Sequence, residues 1–304
     1  MKGRNKMLAP IALFAYKRLD HLKRTLDALS NNHLAPESEL FIFCDAADNA
    51  DDRKRVSEVR VYIQEFSRNC VFKAVHIENA HERKGLSNSI ILGLTMLFNE
   101  FGKAIVVEDD IVTTPDFLNF MNDSLDYYKD NKMIWSINGC TLPLKSLNDY
   151  PYDVYLNNRA NCWGWASWKD RWELIDWKFS DYKEFIKAKS KREIGKSGSD
   201  LIKLLNLQME GRIDSWDTIW SIHQIKEGMY SISPRESYVI NIGLDGSGEH
   251  CTGDFYKIAL KEHEKKYSLI VPELSHKLMK EQWKLRHRPL YKRAINKLLR
   301  ILLE

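Results

Sequence analysis

Four short apolar runs, each followed by a segment with helical spacing, occupy the first 110 residues and leave few folds open. Residues 10–16 (PIALFAY), 40–44 (LFIFC), 71–77 and 104–107 (AIVV) read as strands. Asp20 is placed to cap a helix whose Leu22, Leu26 and Leu29 share one face. Residues 52–66 carry a charged helical face, and Ile90, Leu94, Leu97 and Phe101 align within 87–101. Apolar strands alternating with helices are the pattern of right-handed βαβ units, and therefore of a parallel sheet.

The rest of the chain reads differently. Residues 157–172 (NNRANCWGWASWKDRW) hold four tryptophans in no clean helical stripe, and 231–248 mix short β-like pieces with glycines. No internal repeat, low-complexity tract or Pro/Gly/Ser linker divides the chain. The plainest organisation is one α/β catalytic domain over 1–258, followed by a basic helical extension over 259–304. Residues 257–304 carry 13 Lys and Arg against 5 Asp and Glu, a net +8; since the whole chain is +4, residues 1–256 sum to −4.

Several function classes drop out. The five cysteines are scattered and never in CxxC spacing, which argues against a disulfide framework or a zinc knuckle. No window approaches 18 apolar residues, and the apolar run near the start is too short for a secretory signal, so a cytoplasmic protein is expected. The first strand is followed by Tyr16-Lys17-Arg18-Leu19-Asp20 with no glycine, which speaks against a dinucleotide fingerprint or a P-loop. Basic residues gather in the tail without any nucleic-acid-binding motif, so no nucleic acid is expected as partner.

The chemistry concentrates at Val106-Val107-Glu108-Asp109-Asp110-Ile111-Val112. Three carboxylates follow a buried-strand pattern, where a parallel α/β sheet binds its ligands. Carboxylates crowded there repel one another and call for a cation; Mg²⁺ or Mn²⁺ prefers oxygen ligands and is commonly shared with substrate phosphates. A solvated acidic turn before the helix near 115–128 is the plainer alternative. Asp45 ends the second strand and Arg18 the first, so the three strand ends define one ligand edge.

These pieces resemble the GT-A glycosyltransferases, in particular the N-acetylglucosaminyltransferase I-like family. The resemblance runs through IALFAYKRLDHLKRTLDAL, FIFCDAAD, HERKGLSNSI, VVEDDIVTTPDFLNFM, CWGWASWKDRW, DSWDTIW and SISPRESYVINIGLDGSGEHCTGDFY, in that order, over roughly residues 8–258. It implies a GT-A-like, Rossmann-type, mostly parallel sheet flanked by helices. It also implies an inverting transfer from a nucleotide-sugar, most simply a UDP-sugar, to a saccharide or lipid-linked glycan. Arg18, Asp45, Lys84, Glu108, Asp109 and Trp165 would then contact the nucleotide-sugar, and Asp110 would ligate Mn²⁺ or Mg²⁺. Asp217 would be the general base, although a helix N-terminal carboxylate is favourable there by dipole alone. This chain has Thr218 where the family pattern has a second acid, and Asp214 stands just upstream as an alternative base. His250, in a Gly-rich loop spelled differently from the family's, is a candidate for the metal or the diphosphate. Trp168 and Trp172 are expected in the core.

Two competing readings remain. A sugar-phosphate nucleotidyltransferase would use similar architecture but would normally carry a Gly-rich loop after the first strand. A non-catalytic, membrane-docked relative would not need the intact acidic run. In the tail, Leu290, Ala294, Ile295, Leu298 and Leu302 fall on one helical side after Pro289, with Lys292, Arg293, Lys297 and Arg300 mainly elsewhere. Such a helix suits peripheral docking on an anionic membrane surface.

Overall fold

The computed structural model describes residues 7–188, 191–244, 260 and 267–286. The strands are β1 (Ile11–Ala15), β2 (Glu39–Cys44), β3 (Ala74–Asn79), β4 (Lys103–Glu108), β5 (Ile111–Thr113), β6 (Ile134–Asn138), β7 (Val154–Asn157), β8 (Trp165–Trp168), β9 (Tyr230–Pro234) and β10 (Val239–Asn241). The helices are α1 (Leu19–Ser30), α2 (Ala50–Arg68), α3 (Leu86–Phe101), α4 (Phe117–Tyr128), α5 (Lys169–Trp172), α6 (Tyr182–Ala188), α7 (Lys191–Gly195), α8 (Leu201–Met209), α9 (Trp216–Lys226) and α10 (His276–Arg286).

Eight strands form one sheet in the order β3-β2-β1-β4-β8-β6-β9-β7, and β10 pairs with β5 in a separate antiparallel ribbon. β1, β2, β3 and β4 are mutually parallel, as the βαβ pattern requires, and β6 and β9 continue in the same direction. β8 and β7 run against them. Successive strand residues point to opposite faces, so β1 feeds both halves of the core. Ile11, Leu13 and Ala15 meet Leu22 and Leu26 of α1, Val59 and Ile63 of α2, and Phe117 of α4. Ala12 and Phe14 meet Ile90 and Leu94 of α3 and the cluster from α5 to α9. This is the α/β class with a mostly parallel sheet between helical layers.

Two local readings shift. The third strand begins at Ala74 rather than 71, because Val71 is exposed and Phe72 turns back onto Phe66 of α2, their rings 6.3 Å apart. The tryptophan-rich segment, irregular by its sequence, contributes β8, a central strand between β4 and β6. At the other end of the chain, Tyr267, Leu269 and Ile270 pack on the core around α4, and the Tyr128 hydroxyl donates to the Ile270 carbonyl. α10 buries Leu278 among Leu142, Leu144, Leu147 and Tyr155, while Glu281 accepts from the Ser146 amide and hydroxyl. The helix expected after Pro289 lies outside the described residues, as does His250. No helix among the described residues is long and apolar enough to cross a membrane.

Candidate active site

The carboxyl ends of β1, β2 and β4 meet at one edge of the sheet. Register fixes this: Phe14 of β1 lies beside Glu108 of β4, and Ala15 beside Cys44 of β2. Glu108 is therefore the last residue of its strand, and Asp109 and Asp110 form the turn into β5. Arg18, at the start of α1, donates to Asp109 and, at 2.8 Å, to Asp110. Thr25 of α1 donates to the Asp109 carbonyl at 2.9 Å, which anchors the turn from beneath.

The charge balance of this edge is uneven. Asp109 and Asp110 are buried and Glu108 is half-buried, with one guanidinium against three carboxyls. Burial, then the neighbouring Asp110 and Asp109, hold the Glu108 carboxyl well above the ordinary range, and Asp217 adds to the effect. Burial pushes Asp109 up to about 6, opposed mainly by Arg18. Burial works against the Arg18 cation, yet Asp109 and Asp110 outweigh it and raise its pKa.

Asp45 at the end of β2 serves a different purpose. Its carboxylate accepts from the amides of Ala46, Lys84 and Gly85 at 2.8, 2.9 and 2.9 Å, and from the Arg83 guanidinium. Gly85 has φ +81°, a conformation that costs glycine little, and this turn aims both amides at Asp45. Lys84 thus meets Asp45 through its main chain, and its side chain is exposed. Arg83 also stacks on the Tyr16 ring, 4.2 Å from its centroid.

The opposite wall comes from the second half of the chain. Asp217 stands in the first turn of α9 and is close enough to Glu108 to raise that group's pKa. Asp214 is exposed, and a Cβ at Gly85 would lie 3.6 Å from its Oδ2, beside the turn whose Gly85 amide donates to Asp45. The third wall is β10. The Ile242 amide donates to the Asp110 carbonyl at 2.9 Å, and Asn241 Nδ2 approaches Asp110 Oδ1 at 3.4 Å. A methyl at Gly243 would collide with the Asp110 carboxylate and lie 2.8 Å from Arg18 Nη1.

Arg18, Glu108, Asp109, Asp110 and Asp217 are thus brought together, with Asp45 and Lys84 one strand away. Trp165 is not at this edge: its relative exposure is 0%. It packs in a nest with Trp216, Trp220 and Trp172, at centroid distances of 5.5, 4.9 and 6.4 Å. The expectation that Trp165 contacts a sugar is therefore corrected; β8 is an interior strand, so its rings are enclosed on both faces. Trp168 and Trp172 are buried, as expected of core residues. Arg83, Ser215 and Asn241 are not among the residues expected from the sequence, whereas Gly243 opens the Gly-rich loop noted there. For Arg83 the signal is its place in the basic HERKG turn; for Asn241 only the β5–β10 pairing reveals it.

Among the described residues, no group of three or more His, Cys, Asp and Glu side chains is spaced to hold a metal alone. The residues present nevertheless fit a divalent cation shared with a ligand. Asp110 offers one carboxylate beside a cradle that any side chain at Gly243 would fill, and the edge has a surplus of negative charge. Mg²⁺ is typically held in this way, by one or two carboxylates plus substrate phosphates.

The model of the GNT-I family matches residues 1–193, and the chain belongs to that family. An alpha-1,3-mannosyl-glycoprotein 2-beta-N-acetylglucosaminyltransferase of Arabidopsis thaliana is 24% identical over 203 residues, covering 62% of this chain and 44% of the relative. The chain therefore spans less than half the length of that relative. Among solved structures, S. aureus TarS 1-349 superposes with a TM-score of 0.46 at 9% identity, over 77% of this chain and 61% of that one.

Proposed function

We propose that this chain is an inverting, metal-dependent glycosyltransferase. It takes a sugar from a nucleotide-sugar, most simply a UDP-sugar, and passes it to a saccharide or lipid-linked glycan. The observation that carries this reading is the facing pair of acidic elements: Glu108, Asp109 and Asp110 at the end of the central strand, and Asp217 on the helix opposite. Family membership and the N-acetylglucosaminyltransferase relative support it.

Cleaving a sugar–diphosphate bond leaves concentrated negative charge on the departing group. A divalent ion held by Asp110, with His250 a further candidate ligand, would neutralise that charge. Arg18, already cationic between Asp109 and Asp110, stands beside the same group. Asp45 keeps the turn at 83–85 rigid beneath the nucleotide, while Glu108 and Asp109 face its base and ribose. Asp217 removes the proton of the attacking acceptor hydroxyl. With one base on the side opposite the leaving group, a single displacement inverts the anomeric carbon. Asp217 is near enough to act electrostatically on Glu108, which favours it over Asp214 as base. The basic sequence of 287–304 supports docking on an anionic membrane, where a lipid-linked acceptor would reside.

The test is a thermal-shift screen of UDP-, GDP-, CMP- and dTDP-sugars with and without Mn²⁺, followed by a transfer assay. A UDP-sugar with Mn²⁺ is expected to stabilise the protein by about 2.7 kcal/mol at one hundred times its Kd. If no nucleotide-sugar shifts the transition at any Mn²⁺ concentration, the reading is wrong.

A further inference from the structure

Ser215 occupies the N-cap of α9, where a serine hydroxyl normally accepts from the backbone amide two or three residues on. Here it makes no such cap. Its Oγ lies 2.5 Å from Asp217 Oδ1 and 2.7 Å from Thr218 Oγ1, bonding the side chains of those residues instead of their amides. An ionised carboxylate can only accept. The Ser215 O–H therefore donates to Asp217, and Thr218, buried and β-branched, donates to Ser215. The serine is itself held: its amide donates to Gln208 Oε1 of α8 at 2.8 Å, and the next amide, Trp216, donates to Ser87 Oγ of α3 at 3.1 Å.

We infer that Ser215 is a positioning residue for Asp217, locking its Oδ1 so that Oδ2 takes the proton of the acceptor hydroxyl. This rests on the reading of Asp217 as general base. In the step so ordered, the acceptor O–H bond breaks and an Oδ2–H bond forms. The freed electron pair makes the new bond to the anomeric carbon, and the sugar–phosphate bond electrons leave with the diphosphate. The hydrogen bond to Oδ1 fixes the rotation of the carboxylate about the Cβ–Cγ bond.

The experiment compares Ser215→Ala, Ser215→Thr, Asp217→Asn and the Ser215→Ala/Asp217→Asn double variant in the full chain, with melting temperature recorded for each. Loss of one hydrogen bond to a charged group should lower kcat of Ser215→Ala about 10–100-fold. Donor KM should stay within about two-fold, since uniform binding is untouched. The melting temperature should fall slightly, because the buried Thr218 hydroxyl loses its partner as well. Ser215→Thr, which keeps the donor, should retain most of the turnover. In the Asp217→Asn background, Ser215→Ala should cost nothing further. Thr218→Val, which leaves Ser215 in place but frees it, should lower kcat less than Ser215→Ala. Normal turnover in Ser215→Ala, or the same loss repeated on top of a slow Asp217→Asn, overturns the positioning role while leaving the base intact. Normal turnover in Asp217→Asn removes the base reading, and the positioning role with it.

Discussion

Residues 10–110 and residues 134–234 build one sheet by opposite routes. In the first region every strand pairs parallel to its neighbours, β1 with β2 and β4, and β2 with β3. In the second the directions mix: β8 inserts antiparallel between β4 and β6, and β7 runs antiparallel to β9. The first region ends its strands in charge: Arg18, Asp45 and the run from Glu108 to Asp110. The second fills its interior with tryptophan and offers the acidic edge a single facing carboxylate, Asp217. The charged groups of the first region thus sit at or just beyond strand ends, while Asp217 rides on a helix packed against the tryptophan nest.

Removing one carboxylate from each region should have the largest effects. Asp110→Asn should abolish both turnover and the Mn²⁺-dependent thermal gain with a nucleotide-sugar. Asp217→Asn should keep that gain and lose about 10²–10⁴-fold in kcat, with Asp214→Asn as the mild control. If Asp217→Asn loses the ligand-induced stabilisation instead, the two regions do not divide the work in this way.

Next in size is the aromatic nest. Trp165→Ala removes a ring enclosed by three other tryptophans and should cost about 3–5 kcal/mol by thermal or denaturant unfolding. A variant as stable as the parent would show that the second region does not depend on this nest. A smaller effect is expected at the boundary between the regions. Gly243→Ala forces Asp110 or Arg18 to move and should reduce kcat/KM about 10–10²-fold with an almost unchanged melting temperature. Unaltered kinetics would mean that β10 does not constrain Asp110.

The smallest effect concerns acid stability. His223 of α9 is buried; its Nδ1 donates to the Ile219 carbonyl and its Nε2 accepts from the Asp176 amide at 3.1 Å. Burial lowers its pKa below the ordinary value, helped by Lys226 and opposed by the Ile219 carbonyl and by Asp176 and Asp181. The unfolded chain then binds the proton first. The contribution of His223 is complete above the usual histidine pKa of about 6.5 and is lost as pH falls below it. Melting temperature against pH should therefore fall less steeply on the acid side in His223→Gln; identical slopes would remove this group from the acid limb.

The sequence by itself determined the parallel half of the sheet and its acidic edge. Continuous apolar strands such as IALFA and KAIVVE can only be buried on both faces, and the residue that ends such a strand must emerge at the sheet edge. That is why Asp45 and Glu108 to Asp110 were legible without coordinates, with Arg18 in the short turn after β1. Tertiary structure alone decided the fate of the tryptophans. Trp165 lies in a short strand whose partners, β4 and β6, come from elsewhere in the chain, and no local periodicity encodes such an insertion. It also decided where Asp214 and Asp217 lie. They are three residues apart and chemically identical; the start of α9 at Trp216, tied to Ser87, comes between them, with Asp217 in electrostatic reach of Glu108 and Asp214 beside Gly85. Strand burial is a local property of composition, whereas the direction of a side chain across a cleft depends on how distant elements pack.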